Sequence, residues 1–231
     1  MIATNAGLNA DTNTKSHHDI RFPGESPEYR IKRNALLTAE IALRAGIEDV
    51  ARLRRALPLG GVVKNYKFDG ADGPVQIADL FTQHETVIVY SFMFGGQQVS
   101  PCPMCSAFLD SVIGQLKHIQ QRAAFVVVAR NPIDQVLAMA QAREWSEFTW
   151  LSAAQNTYAV DYHSETADGA QMPMCNVFTR RAGEIRHFWN SEMFFAPSET
   201  HPRHIDLLWP LWNMLDITPE GRGEFTPKLN Y

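Results

Sequence analysis

Val87-Ile88-Val89-Tyr90-Ser91-Phe92, a loop holding Gly95 and Gly96, then Pro101-Cys102-Pro103-Met104-Cys105: this stretch decides the fold. A near-continuous apolar run of strand length marks a strand buried on both faces. Behind it, Phe108, Val112, Leu116 and Ile119 recur at helical spacing. Pro103 suits the first helical position, where its missing N–H costs nothing. Cys102 therefore stands where a buried strand gives way to a helix. The unpaired amides and positive dipole end of that helix favour a thiolate. Cysteines so placed have pKa values lowered from about 8.5 to roughly 3.5–7.5. Cys105 lies one turn on, on the same helical face, and can close a disulfide with Cys102. The expected roles are nucleophile for Cys102 and resolving thiol for Cys105.

Downstream, Ala124 to Ala129 reads as a second buried strand, and Pro132 opens a helix running to about Arg143. Phe148 to Ser152 is a short strand and Tyr158 to Tyr162 a helical turn. Cys175 to Thr179 and Ile185 to Trp189 form a hairpin across Arg181-Ala182-Gly183-Glu184. Residues 203–217 form a partly helical segment interrupted by Pro210. Upstream, Gly60-Gly61 opens a β-rich stretch from Val62 to Phe68, and Val75 to Phe81 is a strand running into a helical turn. From Glu28 to Leu57 the pattern is helical, bounded by Pro27 and Pro58, with Gly46 splitting it into two helices. Strands alternating with helices, then a late hairpin, give an α/β protein with a mixed sheet and helices on both faces. The expected organisation is a disordered leader over 1–24, a helical extension over 25–58 and the sheet domain over 59–231. The extension packs on that domain or pairs with a second subunit.

The 231 residues carry 21 basic and 25 acidic side chains, a formal net charge of -4. So mild a balance argues against nucleic-acid binding and against recruitment to an anionic membrane. Arg52, Arg54 and Arg55 read as a solvated helix face. No secretory leader and no run of about 18–20 apolar residues is visible, so a cytoplasmic location is expected. Three cysteines, two of them in one C-x-x-C, suit redox chemistry better than a secreted disulfide scaffold. A four-cysteine zinc site is excluded by count. No cofactor is expected.

Strand, C-P-x-C, helix, then a late proline opening a strand and a Gly-containing hairpin resembles the thioredoxin-like superfamily. Met172-Pro173-Met174-Cys175-Asn176-Val177-Phe178 is similar to that superfamily's cis-proline strand. The likeness implies a cis Met172–Pro173 bond set against the C-x-x-C motif. It also implies substrate contacts from Met172, Pro173, Pro103 and Met104. A closer resemblance, over roughly 28–225, is to a bacterial thioredoxin-like family catalogued as domain of unknown function 899. It is carried by Ala56-Leu57-Pro58, Tyr66-Lys67-Phe68-Asp69-Gly70, Asp72-Gly73 and Ala78-Asp79-Leu80-Phe81. Val89 to Gly95, Cys102-Pro103-Met104-Cys105-Ser106, Ala129-Arg130 with Pro132, and Leu215 to Arg222 carry the rest. These likenesses imply the thioredoxin-like fold with an N-terminal hairpin, as in peroxiredoxin-like members. They assign no reaction. Thioredoxins have Trp before the first cysteine and a buried Asp on the preceding strand; here Pro101 stands there, and Val87 to Phe94 holds no acid. Peroxiredoxins place Thr or Ser three residues before the peroxidatic cysteine and Pro seven before; Val99 and Gly95 occupy those positions.

Three readings follow. The first is a thiol–disulfide oxidoreductase acting on a protein or small-molecule thiol or disulfide. The second is Cu(I) binding or transfer through Cys102, Cys105 and nearby Met104, Met172 and Met174, since sulfur ligands select soft ions. The third is a non-catalytic interaction protein. A homodimer through the N-terminal helix or the C-terminal aromatics Trp189, Phe194, Phe195, Trp209 and Trp212 is compatible with each. Those aromatics otherwise read as core. Cys175 is a buried inert thiol or a third redox cysteine. His163, His187, His201 and His204 lack metal-ligand spacing.

Overall fold

A computed structural model describes residues 16–196, 208–221 and 223–229. Positions 1–15 of the expected leader, and 203–207 of the last segment with His201 and His204, lie outside them. The chain divides into two units, Met1–Leu57 and Pro58–Tyr231.

Among the described residues the first unit holds one helix, α1 (Pro27–Arg55). Ser26 caps it, its hydroxyl accepting from Tyr29 N–H at 3.1 Å, and Pro27 opens it. Arg52, Arg54 and Arg55 fall in the last turn, where cations oppose the negative end of the dipole. Arg52 pairs with Asp49. The helix is continuous through Gly46, contrary to the expected split. One interior glycine costs about 1 kcal/mol, which good helix formers around it, Ala42, Leu43, Arg44 and Ala45, offset.

The second unit is built on one seven-stranded mixed sheet. Its strands are β1 (Lys67–Gly70), β2 (Gly73–Gln76), β3 (Thr86–Ser91), β4 (Ala124–Ala129), β5 (Thr149–Ser152), β6 (Met174–Arg181) and β7 (Glu184–Asn190). They stand in the order β2-β1-β5-β4-β3-β6-β7. The apolar runs take the centre, with β3 parallel to β4 and antiparallel to β6. The hairpin β1–β2 closes one edge and β7 the other. The β6–β7 turn has positive φ at both Ala182 and Gly183, the conformation a two-residue hairpin needs. Val62 to Phe68 is less of a strand than its composition suggests. Val62 only bridges Arg186 on β7, and the chain reaches the far edge before regular pairing starts at Lys67. The strand–helix–strand core followed by an antiparallel hairpin is the thioredoxin-like arrangement.

Strand alternation sorts the core into two clusters. Tyr90, Phe92, Phe125, Val127 and Cys175 share one with α2 (Pro103–Ile113), α4 (Ile133–Ala142) and α6 (Pro210–Asp216). A further turn, α3 (Leu116–Ile119), leads into β4. Val87, Val89, Val126, Val128 and Phe178 form the other with the 3-10 turn Ile77–Phe81 and α5 (Tyr158–Asp161). Helices lie on both faces of the sheet, as expected, with the longer ones together on one. The crossovers β3-α2-β4 and β4-α4-β5 step the same way along the sheet. Right-handed connections then put both helices on one face. Trp209 and Trp212 are buried in that face, so they are core residues.

Candidate active site

The path from β3 to α2 is fixed by backbone hydrogen bonds. Phe92 N–H donates to Val128 O at 2.8 Å, and Arg130 and Asn131 both donate to Phe94 O. Gly95 and Gln98 then exchange a reciprocal pair at 2.8 and 2.9 Å. Gly95 has φ +116, and a Cβ there would lie 2.3 Å from Asn131 N. Only glycine lets the loop cross the end of β4 this closely. The loop turns back so that Cys102 N–H donates to Met93 O at 3.1 Å.

Cys102 is the N-cap residue of α2, extended at φ -65 and ψ 124, with Pro103 at the first helical position. Its thiol is half-buried, whereas Cys105 is 2% exposed. Both are free, as is Cys175. The Cys105 thiol donates to Cys102 Sγ and, with the Cys105 and Met104 N–H groups, lowers the Cys102 pKa to about 6 against the opposing effect of burial. The principal support is thus the second cysteine; the helix amides come after it. Burial pushes Cys105 well above the usual thiol range, and the Cys102 sulfur adds to this.

The sequence passed over Tyr90. It reads as one more apolar residue of a buried strand. In the structure it is 1% exposed, its ring 4.7 Å from that of Phe108 on α2, and it shares a buried cluster with Cys105, whose pKa it lowers. The signal available was spacing alone: Tyr90 shares a sheet face with Ile88 and Phe92, beneath the helix that the motif begins. Cys175 stands opposite Tyr90 in the β3–β6 register. Burial raises its pKa to about 12, so it is a protonated core thiol at neutral pH.

The other expected site residues divide. Met104 joins Cys102 and Cys105 around the same apolar cluster, and Pro103 is exposed at the head of α2. Pro173 immediately precedes β6, one register step beyond the Met174–Ser91 pair. Met172 lines a separate small cavity with Ser91, Arg130 and Ser164. Met174 alternates away from Cys175 along β6. The Met172–Pro173 bond is trans, as is every peptide bond among the described residues, which corrects the cis expectation. Met172 N–H donates to Ser164 O at 2.9 Å and Gln171 bridges Glu165. The trans form is the one that X–Pro bonds favour, by about 0.5–1 kcal/mol. Among the described residues no group of three or more His, Cys, Asp or Glu side chains could hold a metal ion. No helix among them is long and apolar enough to cross a membrane.

Residues 20–231 match the family described as "Bacterial protein of unknown function (DUF899)". No curated protein matches the sequence. Solved structures of similar fold include the peroxidoxin BcpB of Mycobacterium tuberculosis. It is 18% identical, covers 66% of this chain and 94% of its own, and has a TM-score of 0.43. A cysteine-to-serine mutant of PrxQ from Xylella fastidiosa is 10% identical over 66% and 93%, with a TM-score of 0.44. A putative thiol:disulfide interchange protein DsbE of Chlorobium tepidum is 18% identical over 58% and 85%, with a TM-score of 0.39.

Proposed function

The chain belongs to the DUF899 family of bacterial proteins, and from that premise, which brings no reaction with it, we propose that this member is a thiol–disulfide oxidoreductase. One observation carries the reading. A half-exposed Cys102 with a pKa of about 6 sits one helical turn before a buried Cys105 that donates to it. At pH 7 such a thiol is mostly thiolate, and the thiolate is the attacking species. Cys102 attacks a disulfide of the substrate, whose other sulfur leaves with the bonding pair. Cys105 then displaces the second substrate sulfur and closes the Cys102–Cys105 disulfide. The substrate is a protein or small-molecule disulfide, bound at the exposed head of α2 around Pro103 and Met104.

Insulin reduction tests this. Wild-type protein supplied with a small dithiol or glutathione should reduce insulin, and Cys102→Ser should lose that activity. A wild type inert with every reductant tried defeats the reading. Stoichiometric Cu(I) binding with negligible disulfide cycling would put the soft-metal role in its place.

A further inference from the structure

The geometry points to Tyr90 as the positioning residue that readies Cys105 for the resolving step, its phenol buried beneath α2 in the same cluster as that thiol. The inference rests on the oxidoreductase reading and deepens it. In the resting site Cys105 donates to the Cys102 thiolate. Once Cys102 is joined to a substrate sulfur, that thiolate no longer exists. Cys105 must then lose its proton in a buried, apolar site where ionisation is costly. Two neighbours favour that loss, the Tyr90 phenol and the Met93 N–H. Both lower its pKa, with Tyr90 the larger influence.

Tyr90 suits the part because it holds its own proton. Burial and the sulfurs around it push its ionisation well above the usual phenol range, so it acts as a donor and not as a base. The Phe108 ring fixes the phenol, and β3 pairs on both sides to fix its backbone. The ionisable groups facing the pair are Cys102 at the head of α2 and Cys175 on β6. On α2 and after α4, Asp110 and Arg143 are paired at 2.9 Å. In the step itself the Cys105 thiolate attacks Cys102 Sγ. The bond between Cys102 and the substrate sulfur breaks, the Cys102–Cys105 bond forms, and the substrate sulfur leaves with the electron pair. The Cys105 proton passes to that sulfur or, when it is weakly basic, to solvent.

Dithiobis-nitrobenzoate separates the steps with the full-length reduced protein. Attack by Cys102 releases one coloured thiolate in a second-order phase. Closure by Cys105 releases another in a first-order phase. Tyr90→Phe should leave the first phase unchanged. It should slow the second about threefold or more at pH 7 and move its pH midpoint up by about one unit. Phe108→Leu loosens the same packing but keeps the hydroxyl, so its midpoint should stay in place. An unchanged second phase in Tyr90→Phe, or an equal shift in Phe108→Leu, overturns the role of Tyr90 and leaves the oxidoreductase reading intact. A wild type with a first phase and no second defeats the two-cysteine reading itself, and Tyr90 with it.

Discussion

The Cys105 thiol donates to Cys102 Sγ, so it keeps its proton while Cys102 loses one. The two pKa values are driven apart by the same contact, down at the half-exposed sulfur and up at the buried one. Replacing Cys105 with alanine removes the largest support of the thiolate. The midpoint of Cys102 alkylation by iodoacetamide should rise from about 6 toward about 8.5. The rate at pH 7 should fall only a few-fold, because a more basic thiolate is intrinsically more nucleophilic. Cys105→Ser, which keeps a donor, should fall between. A midpoint still near 6 in Cys105→Ala would assign the support to the α2 amides alone. That asymmetry was half legible beforehand. The C-x-x-C spacing at a strand end gave the pair and its order, but no residue pattern says which neighbour's hydrogen bond dominates. Tyr90 was invisible for the same reason: an apolar run shows what is buried, not where a buried hydroxyl points.

At the scale of elements, the strands and helices around the motif were readable because each has one strong pattern. Val87 to Phe92, apolar but for Ser91, and Ala124 to Ala129, apolar throughout, occupy the middle of the sheet. The segments that went astray depend on distant partners. Val62 joins β7 through one bridge, and Gly46 is carried by the helix around it. The Gly95 loop is the element on which the site depends most. A side chain at Gly95 meets the Arg130–Asn131 backbone, which cannot move aside, and φ +116 is strained for any L residue. Gly95→Ala should therefore cost about 2–4 kcal/mol and weaken Cys102 alkylation by shifting the Met93–Cys102 contact. Gly114, at the end of α2 with φ -65 and open space at Cβ, is the control. Gly114→Ala should be neutral or stabilise by up to about 1 kcal/mol. Urea unfolding of both variants checks the pair, and similar midpoints for the two would refute the close approach.

For the whole molecule, the thiolate becomes a contribution to folding. Folding lowers the Cys102 pKa from the usual thiol value of about 8.5 to about 6. A depressed acid stabilises fully above its unfolded pKa, progressively less as pH falls, and not at all below its folded pKa. At pH 7 the contribution is about 1 kcal/mol after allowing for partial solvent screening. Oxidation to the disulfide removes the thiolate, so the same interaction favours the reduced form increasingly as pH rises. His187, whose pKa burial lowers, also makes stability fall in acid. A difference between two proteins that share His187 cancels its effect. The raised pKa of Cys105 acts with opposite sign, weakening the fold only above the usual thiol range. The measurement is therefore the urea stability of the reduced wild type minus that of reduced Cys102→Ser. The difference should grow by about 1 kcal/mol per pH unit between roughly 6.5 and 8.5. Below about pH 6 it should level off, leaving only the packing difference between sulfur and oxygen. A difference that stays flat across the window would mean that the folded chain does not hold Cys102 as a thiolate.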